Sequence, residues 1–303
     1  MARTLWKFAA LRRRLLEMIE PALILDFDRS VVPFDGAASI DLSAWQDRIR
    51  YGCSLADLAS LQAFLDAQGV GAARVTFLGS GDFHHVSYTL VQRAVPRPFQ
   101  LVVFDNHPDN MRYPWGIHCG SWVSHVCALP YVSKVTVVGI ASDDVHWSHM
   151  WENRLLPLYR GKLEYWCFTD VSALGRLLPG FIDLSADRRQ PDRIAARILS
   201  ANADPIYLSI DKDVLAASAV QTNWDQGIMG DDELLGIVQR LRARVFAADV
   251  TGEISFFRYS RWWKRMLAWF DGQSLDPPSR LAELQAAQHR LNARLLQTLA
   301  ADR

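Results

Sequence analysis

Seven short, nearly continuous apolar runs recur along the chain, and segments with helical spacing separate them. The runs cover residues 22–26, 74–79, 100–105, 134–140, 164–168, 205–211 and 244–249. Several are apolar at almost every position, as expected of parallel strands buried on both faces. The helical segments are 54–67, 120–129, 192–201 and 231–242. The last opens with Asp231 and Asp232, acids suited to the positive end of a helix. Strand alternating with helix predicts a mostly parallel sheet covered on both faces.

Composition narrows the function. The 303 residues carry 33 Lys+Arg and 33 Asp+Glu, a balance that argues against a dedicated nucleic-acid binder. Half of the residues are hydrophobic, enough to fill a large core. Cys53, Cys119, Cys127 and Cys167 form no Cys-x-x-Cys pair and read as reduced thiols in a cytoplasm. Arg12, Arg13 and Arg14 interrupt the apolar N-terminus where an export signal would be continuous. No apolar run approaches the ~20 residues needed to span a bilayer. One domain over 1–303 is expected, with an excursion at 27–50 and a helical extension at 260–303. From Pro277 onward, Leu281, Leu284, Ala287, Leu291 and Leu295 form an amphipathic stripe.

Acids and histidines cluster where strands end. The run Leu101-Val102-Val103-Phe104 leads into Asp105-Asn106-His107-Pro108-Asp109. In extended chain, alternate side chains share a face, so Asp105, His107 and Asp109 point the same way. Pro108 keeps His107 out of helical angles. A later strand ends in Asp211-Lys212-Asp213, and an earlier one in Gly79-Ser80-Gly81-Asp82-Phe83-His84-His85. Carboxyl ends of parallel strands line the ligand crevice of such sheets. Four carboxylates meeting there would repel by about 4 kcal/mol per pair at ~4 Å and an effective dielectric near 20. Two divalent cations would offset them, and mixed carboxylate and imidazole donors suit Mn2+, Fe2+ or Zn2+.

On these motifs, and on Asp249-Val250-Thr251-Gly252-Glu253, the chain resembles the arginase, agmatinase and formimidoylglutamase family, the ureohydrolases, over about residues 74–255. The resemblance implies a three-layer α/β/α fold, two Mn2+ ions bridged by hydroxide, and homo-oligomers in which the C-terminal helix could take part. It places the metal ligands at His84, Asp105, His107, Asp109, Asp211 and Asp213, with His85 the alternative to His84. The usual Asp-Pro after the second aspartate pair is absent here, replaced by Val214-Leu215-Ala216-Ala217, and the late carboxylate stands in Thr-Gly-Glu. The implied activity is hydrolysis of a linear C–N bond in a guanidino or amidino compound, a small molecule or an arginyl peptide.

Roles follow from the same resemblance. Asp109 would hold the nucleophile as well as a metal, Glu253 would accept a cationic guanidinium, and His118 would carry the proton to the leaving amine. His118 also reads as a capping group and Glu253 as a turn carboxylate. Asp225 reads as a turn residue, His146 and His149 as exposed helix residues, and Cys119 as a small buried hydrophobe. The aromatic and basic stretch around Trp262 and Trp263 reads as a core helix with snorkelling cations. Two other functions stay open: a metal-dependent amide deacylase, and a non-catalytic relative that keeps the scaffold for binding.

Overall fold

The computed structural model describes residues 20–69, 73–146, 148–169, 178–270 and 279–300. The N-terminal arginines that bear on an export signal, and Pro277, lie outside them. Eleven strands are described: β1 (Glu20–Asp26), β2 (Ala38–Asp41), β3 (Gly52–Cys53), β4 (Ala73–Phe77), β5 (Phe99–Phe104), β6 (Ile117–His118), β7 (Val132–Ile140), β8 (Leu163–Cys167), β9 (Phe181–Asp183), β10 (Ile206–Asp211) and β11 (Val245–Thr251). Nine form one sheet in the order β2-β1-β4-β11-β10-β5-β7-β8-β9, and every neighbouring pair is parallel. β3 and β6 form a small antiparallel pair.

The period-two alternation of each strand divides the core into two layers. Leu101 and Val103 of β5 join the helices Leu55–Ala67, Ser87–Arg93 and Trp122–Cys127 on one face. Val102 and Phe104 join Pro191–Ala201, Asp231–Leu241 and Leu281–Ala300 on the other. The architecture is therefore three-layer α/β/α, and all seven expected strands are present within two residues of their expected bounds.

Local chemistry explains several boundaries. Ser54 caps the helix Leu55–Ala67 by accepting from the Asp57 N–H at 3.1 Å. Glu233 reaches back to the Gly230 N–H at 2.8 Å at the start of Asp231–Leu241. The excursion at 27–50 contributes β2, an edge strand beside β1. His146 and His149 do not lie on one helix; they flank two short 3-10 turns, Asp143–Val145 and Met150–Glu152. The helix Trp262–Phe270 reverses the expected arrangement. Trp262 and Trp269 are exposed, and Lys264 is buried. The Lys264 ammonium donates to the carbonyls of Asp47, Arg48 and Arg50 at 2.7–3.3 Å, closing the C-terminal end of the short helix Gln46–Ile49. No described helix is long and apolar enough to cross a membrane.

Candidate metal centre

The four central strands β4, β11, β10 and β5 deliver the site at their carboxyl ends. β5 ends at Phe104 and places Asp105, His107 and Asp109 on the following loop; β10 ends at Asp211, with Asp213 in the next turn. After β4, Gly79 turns the chain at φ +85°, and a 3-10 helix, Gly81–Val86, presents His84. His84, not His85, faces the carboxylates. Its Nδ1 lies 3.1 Å from Asp105, 3.0 Å from Asp109 and 3.4 Å from Asp211. Nδ1 of His107 lies 3.0 Å from Asp213 and 3.5 Å from Asp105. Two triads result, His84-Asp105-Asp211 and Asp105-His107-Asp213, each with donor atoms within 4.8 Å of one another. Asp105 belongs to both. Asp109 stands beside the first triad, with the Trp122 Nε1–H donating to its Oδ2 at 2.6 Å. All six residues singled out in the sequence as ligands meet at one rim of the sheet.

The electrostatics of this cluster favour cations. Asp105, Asp109, Asp211 and Asp213 are buried, and among the described residues no lysine or arginine forms an ion pair with any of them. Burial and the Asp105 charge push Asp109 up to about 8; burial, with Asp105 adding to it, brings Asp211 to about 6. Asp213 rises well above the usual range from burial and from the neighbouring Asp105 and Asp211. Burial disfavours the charged form of His84 and His107, yet the carboxylates around them outweigh it and raise both well above the usual value. Asp105 is held low by His107 and His84 against the effect of burial. Excess negative charge is thus answered by bound protons, which divalent cations would displace. The carboxylate and imidazole donor set fits such ions.

The side chains behind the ligands fix their orientation. Nε2 of His84 lies 3.0 Å from Ser209 Oγ, and the Ser209 hydroxyl donates to Asp249 at 2.6 Å. Ser87 and Tyr207 also donate to Asp249, at 3.0 and 2.8 Å. On the other histidine, Nε2 of His107 lies 2.8 Å from Asp225, whose carboxyl this contact holds below its usual value. Asp225 is therefore more than a turn residue. Asp82, adjacent to the ligand turn, is gripped by Arg50 at 2.6 Å and accepts from Trp224 Nε1 at 3.2 Å. Arg50, Ser209 and Asp249 were not identified from the sequence as functional. An acid inside an apolar strand, Asp249 in β11, was the available signal.

Two expected roles change. Glu253 does not face the crevice; it is a buried partner of Lys212, with Asn292 bonded to both. Gly252, at φ +90°, makes this possible, because a Cβ there would stand 2.5 Å from Asp211 Oδ1. The carboxylate following it is thereby carried to Lys212. His118 lines the crevice, but its Nδ1 accepts the Gly120 N–H at 2.9 Å. Burial brings the ring down to about 4, so it is neutral near pH 7 and does not titrate where a proton shuttle would.

Above the cluster lies a cavity of about 510 Å3, with Tyr51, Tyr113, Trp115 and Trp224 on its walls. Asp144, Glu152 and Asp225 add further acids there. Asp144 is pushed up by burial. His149 lies 3.0 Å from Glu152 on the same wall.

The nine-stranded parallel sheet with helices on both faces is an arginase-like α/β fold. The chain is similar in structure to the agmatine ureohydrolase of Thermoplasma volcanium, with a TM-score of 0.53 and 13% identity over 92% of this chain and 89% of that one. The formiminoglutamase of Trypanosoma cruzi, solved with Mn2+, gives 0.56 and 10% over 95% of each chain. The proclavaminate amidino hydrolase of Streptomyces clavuligerus gives 0.51 and 14% over 92% and 91%. In sequence, 180 residues, 59% of the chain, are 31% identical to an uncharacterized protein of Thermotoga maritima and span 58% of its length. No family model matches the chain.

Proposed function

We propose that this chain is a hydrolase of linear C–N bonds in guanidino or amidino compounds, working with two divalent cations of which Mn2+ is the first candidate. The observation that carries the reading is the convergence of five donors into two triads that share Asp105, with Asp109 beside the first. His84, Asp105, Asp109 and Asp211 would hold one ion, and His107, Asp105, Asp211 and Asp213 the other. When bound, such a pair supplies Lewis acidity and makes hydroxide available from water near neutral pH.

The chain's own groups do the rest. Asp109, anchored by Trp122, hydrogen-bonds the attacking water and keeps its lone pair aimed at the substrate carbon. Asp144, Glu152 and Asp225 surround the cationic group, the part first assigned to Glu253. His118 is neutral, with Nδ1 occupied, and offers Nε2–H as a hydrogen-bond donor to the leaving nitrogen. A new C–O bond forms and the C–N bond breaks. The proton released by water passes to the leaving amine, so a guanidino substrate yields urea and an amine.

The test is product analysis. Purified chain with Mn2+ is offered a panel of guanidino compounds, amidines and acetylated amines. Urea or ammonia release from the first two, lost in Asp211→Ala, is the expected result. Acetate release would instead favour an amide deacylase, and metal binding without turnover of any compound would favour a binding protein.

A further inference from the structure

A run of rings lines the cavity above the metal centre. Trp224 and Tyr51 stack with centroids 6.2 Å apart, Tyr51 and His118 follow at 6.2 Å, and Tyr113 stands edge-on to His118 at 4.3 Å. Trp224 begins the run, its centroid 6.2 Å from that of the proposed ligand His107.

The indole is pinned along one edge. Its Nε1–H donates to Asp82 at 3.2 Å, and Asp82 is itself paired with the buried Arg50. A Cβ on Gly81 would stand 3.0 Å from Trp224 Cδ1, so the pyrrole edge lies directly against the turn that presents His84. The surrounding segment is braced as well. The Thr222 hydroxyl donates to the Trp224 carbonyl at 3.1 Å, and Gln226 donates to the carbonyls of Leu215 and Val220 at 3.0 and 2.8 Å. Trp224 is nonetheless only half-buried. A large ring fixed in place and open to the cavity is a preorganised binding surface.

The charges beside it decide what that surface can hold. The four ligand carboxylates and two divalent cations cancel, so the loaded centre exerts little net pull on a cationic substrate. The acids on the cavity wall are already engaged: Asp225 lies 2.8 Å from His107, Glu152 lies 3.0 Å from His149, and Asp144 accepts from the Ser142 hydroxyl at 3.1 Å. A further free carboxylate this close to the ions would compete as a ligand. An indole face attracts a cation through its ring quadrupole and has no lone pair to offer a metal.

We propose that the face of Trp224 receives the planar cationic head of the substrate, and that this residue selects guanidinium and amidinium groups over uncharged ureido or amide groups of the same shape. Trp is the strongest aromatic partner of a cation, and a planar guanidinium stacks on such a face within about 6 Å of the ring centroid. The inference deepens the proposed hydrolase reading and rests on it for the place of the reacting carbon. A guanidino substrate becomes urea, which is uncharged, so the attraction ends as the C–N bond breaks.

The experiment compares the full Mn2+-loaded chain with Trp224→Leu, which removes the ring, and Trp224→Phe, which keeps one, after thermal melting has established that all three are folded. The probes are butylguanidinium and butylurea, alike in size and planarity and different in charge. Calorimetry reads both affinities, and product analysis of the same samples reports turnover; where butylguanidinium is hydrolysed, its KM takes the place of affinity. Trp224→Leu should weaken butylguanidinium at least about fivefold and change butylurea less than about twofold, while Trp224→Phe keeps most of the difference between the probes. An equal loss on both probes, no loss on either, or no binding of butylguanidinium to the wild type overturns the platform. Mn2+ affinity should stay unchanged in both variants. A fall in both would make the indole a support of His107 through Asp225, and would overturn the proposal as well. Butylguanidinium held through Trp224 without turnover of any guanidino compound would instead fail the hydrolase reading and leave the platform standing.

Discussion

Ser209 Oγ lies 3.0 Å from Nε2 of His84, on the ring edge opposite the carboxylates. The hydroxyl hydrogen is committed to Asp249, so the serine accepts from Nε2–H and Nδ1 is the nitrogen whose proton a metal would displace. That is the arrangement a metal ligand needs. Ser209→Ala and Asp249→Asn should each weaken Mn2+ binding about 10- to 100-fold. Calorimetric titration measures this directly, and unchanged affinity in both variants would remove the orienting role.

Lys212 and Glu253 are buried together, at 0% and 2% exposure, away from the crevice. Removing one partner strands the other charge in the interior. Lys212→Met should therefore cost about 3–5 kcal/mol of stability. Urea unfolding reads it. Glu253→Gln should likewise destabilise while KM for guanidino substrates changes little; a large KM rise with unchanged stability would return Glu253 to substrate binding.

The metal-free protein should lose stability as pH rises from about 6 to 8. Asp109 and Asp211 have folded values of about 8 and 6, above their unfolded ones, and His84, His107 and Asp213 are also raised. The folded state then binds more protons than the unfolded state across this window, and stability falls with pH. Mn2+ should reverse the trend, stabilising most at pH 8 and releasing protons as it binds. Melting temperatures at pH 5.5 and 8, with and without Mn2+, give the sign. A metal-free protein more stable at pH 8 would contradict it.

Gly252→Ala tests the close approach behind Asp211. The added methyl would stand 2.5 Å from Asp211 Oδ1 and 2.7 Å from the Lys212 nitrogen, on a backbone at φ +90°. Loss of more than about 1 kcal/mol is expected, together with weaker metal binding, because Asp211 must shift. A variant equal to wild type in unfolding and in Mn2+ affinity would mean the loop relaxes freely.

What the sequence made legible follows from how local each signal is. The seven strands showed because burial on both faces makes them continuously apolar. β2 and β9 were missed: they are short edge strands with no buried residue, and they look like loop. Asp105, His107, Asp109, Asp211 and Asp213 showed because acids and an imidazole recur at a spacing of two where apolar runs end, although the chain there is not extended: Asp109 stands at φ +46° and Asp213 in a 3-10 turn. The choice between His84 and His85 did not, since in a 3-10 turn neighbouring side chains diverge by about 120° and only the fold decides which faces inward. Contacts such as Arg50–Asp82, His84–Ser209 and Ser209–Asp249 join residues 32, 125 and 40 apart, and no local pattern encodes them. Glu253 was misassigned for the same reason, its partner Lys212 being 41 residues away.

The count and position of bound metal bear most directly on the central claim. Crystals grown with Mn2+ and measured at the manganese absorption edge should show two anomalous peaks per chain. One should lie among His84, Asp105, Asp109 and Asp211, the other among His107, Asp105, Asp211 and Asp213, and both should vanish in Asp105→Ala. A single peak elsewhere, or none at saturating Mn2+, would contradict the account.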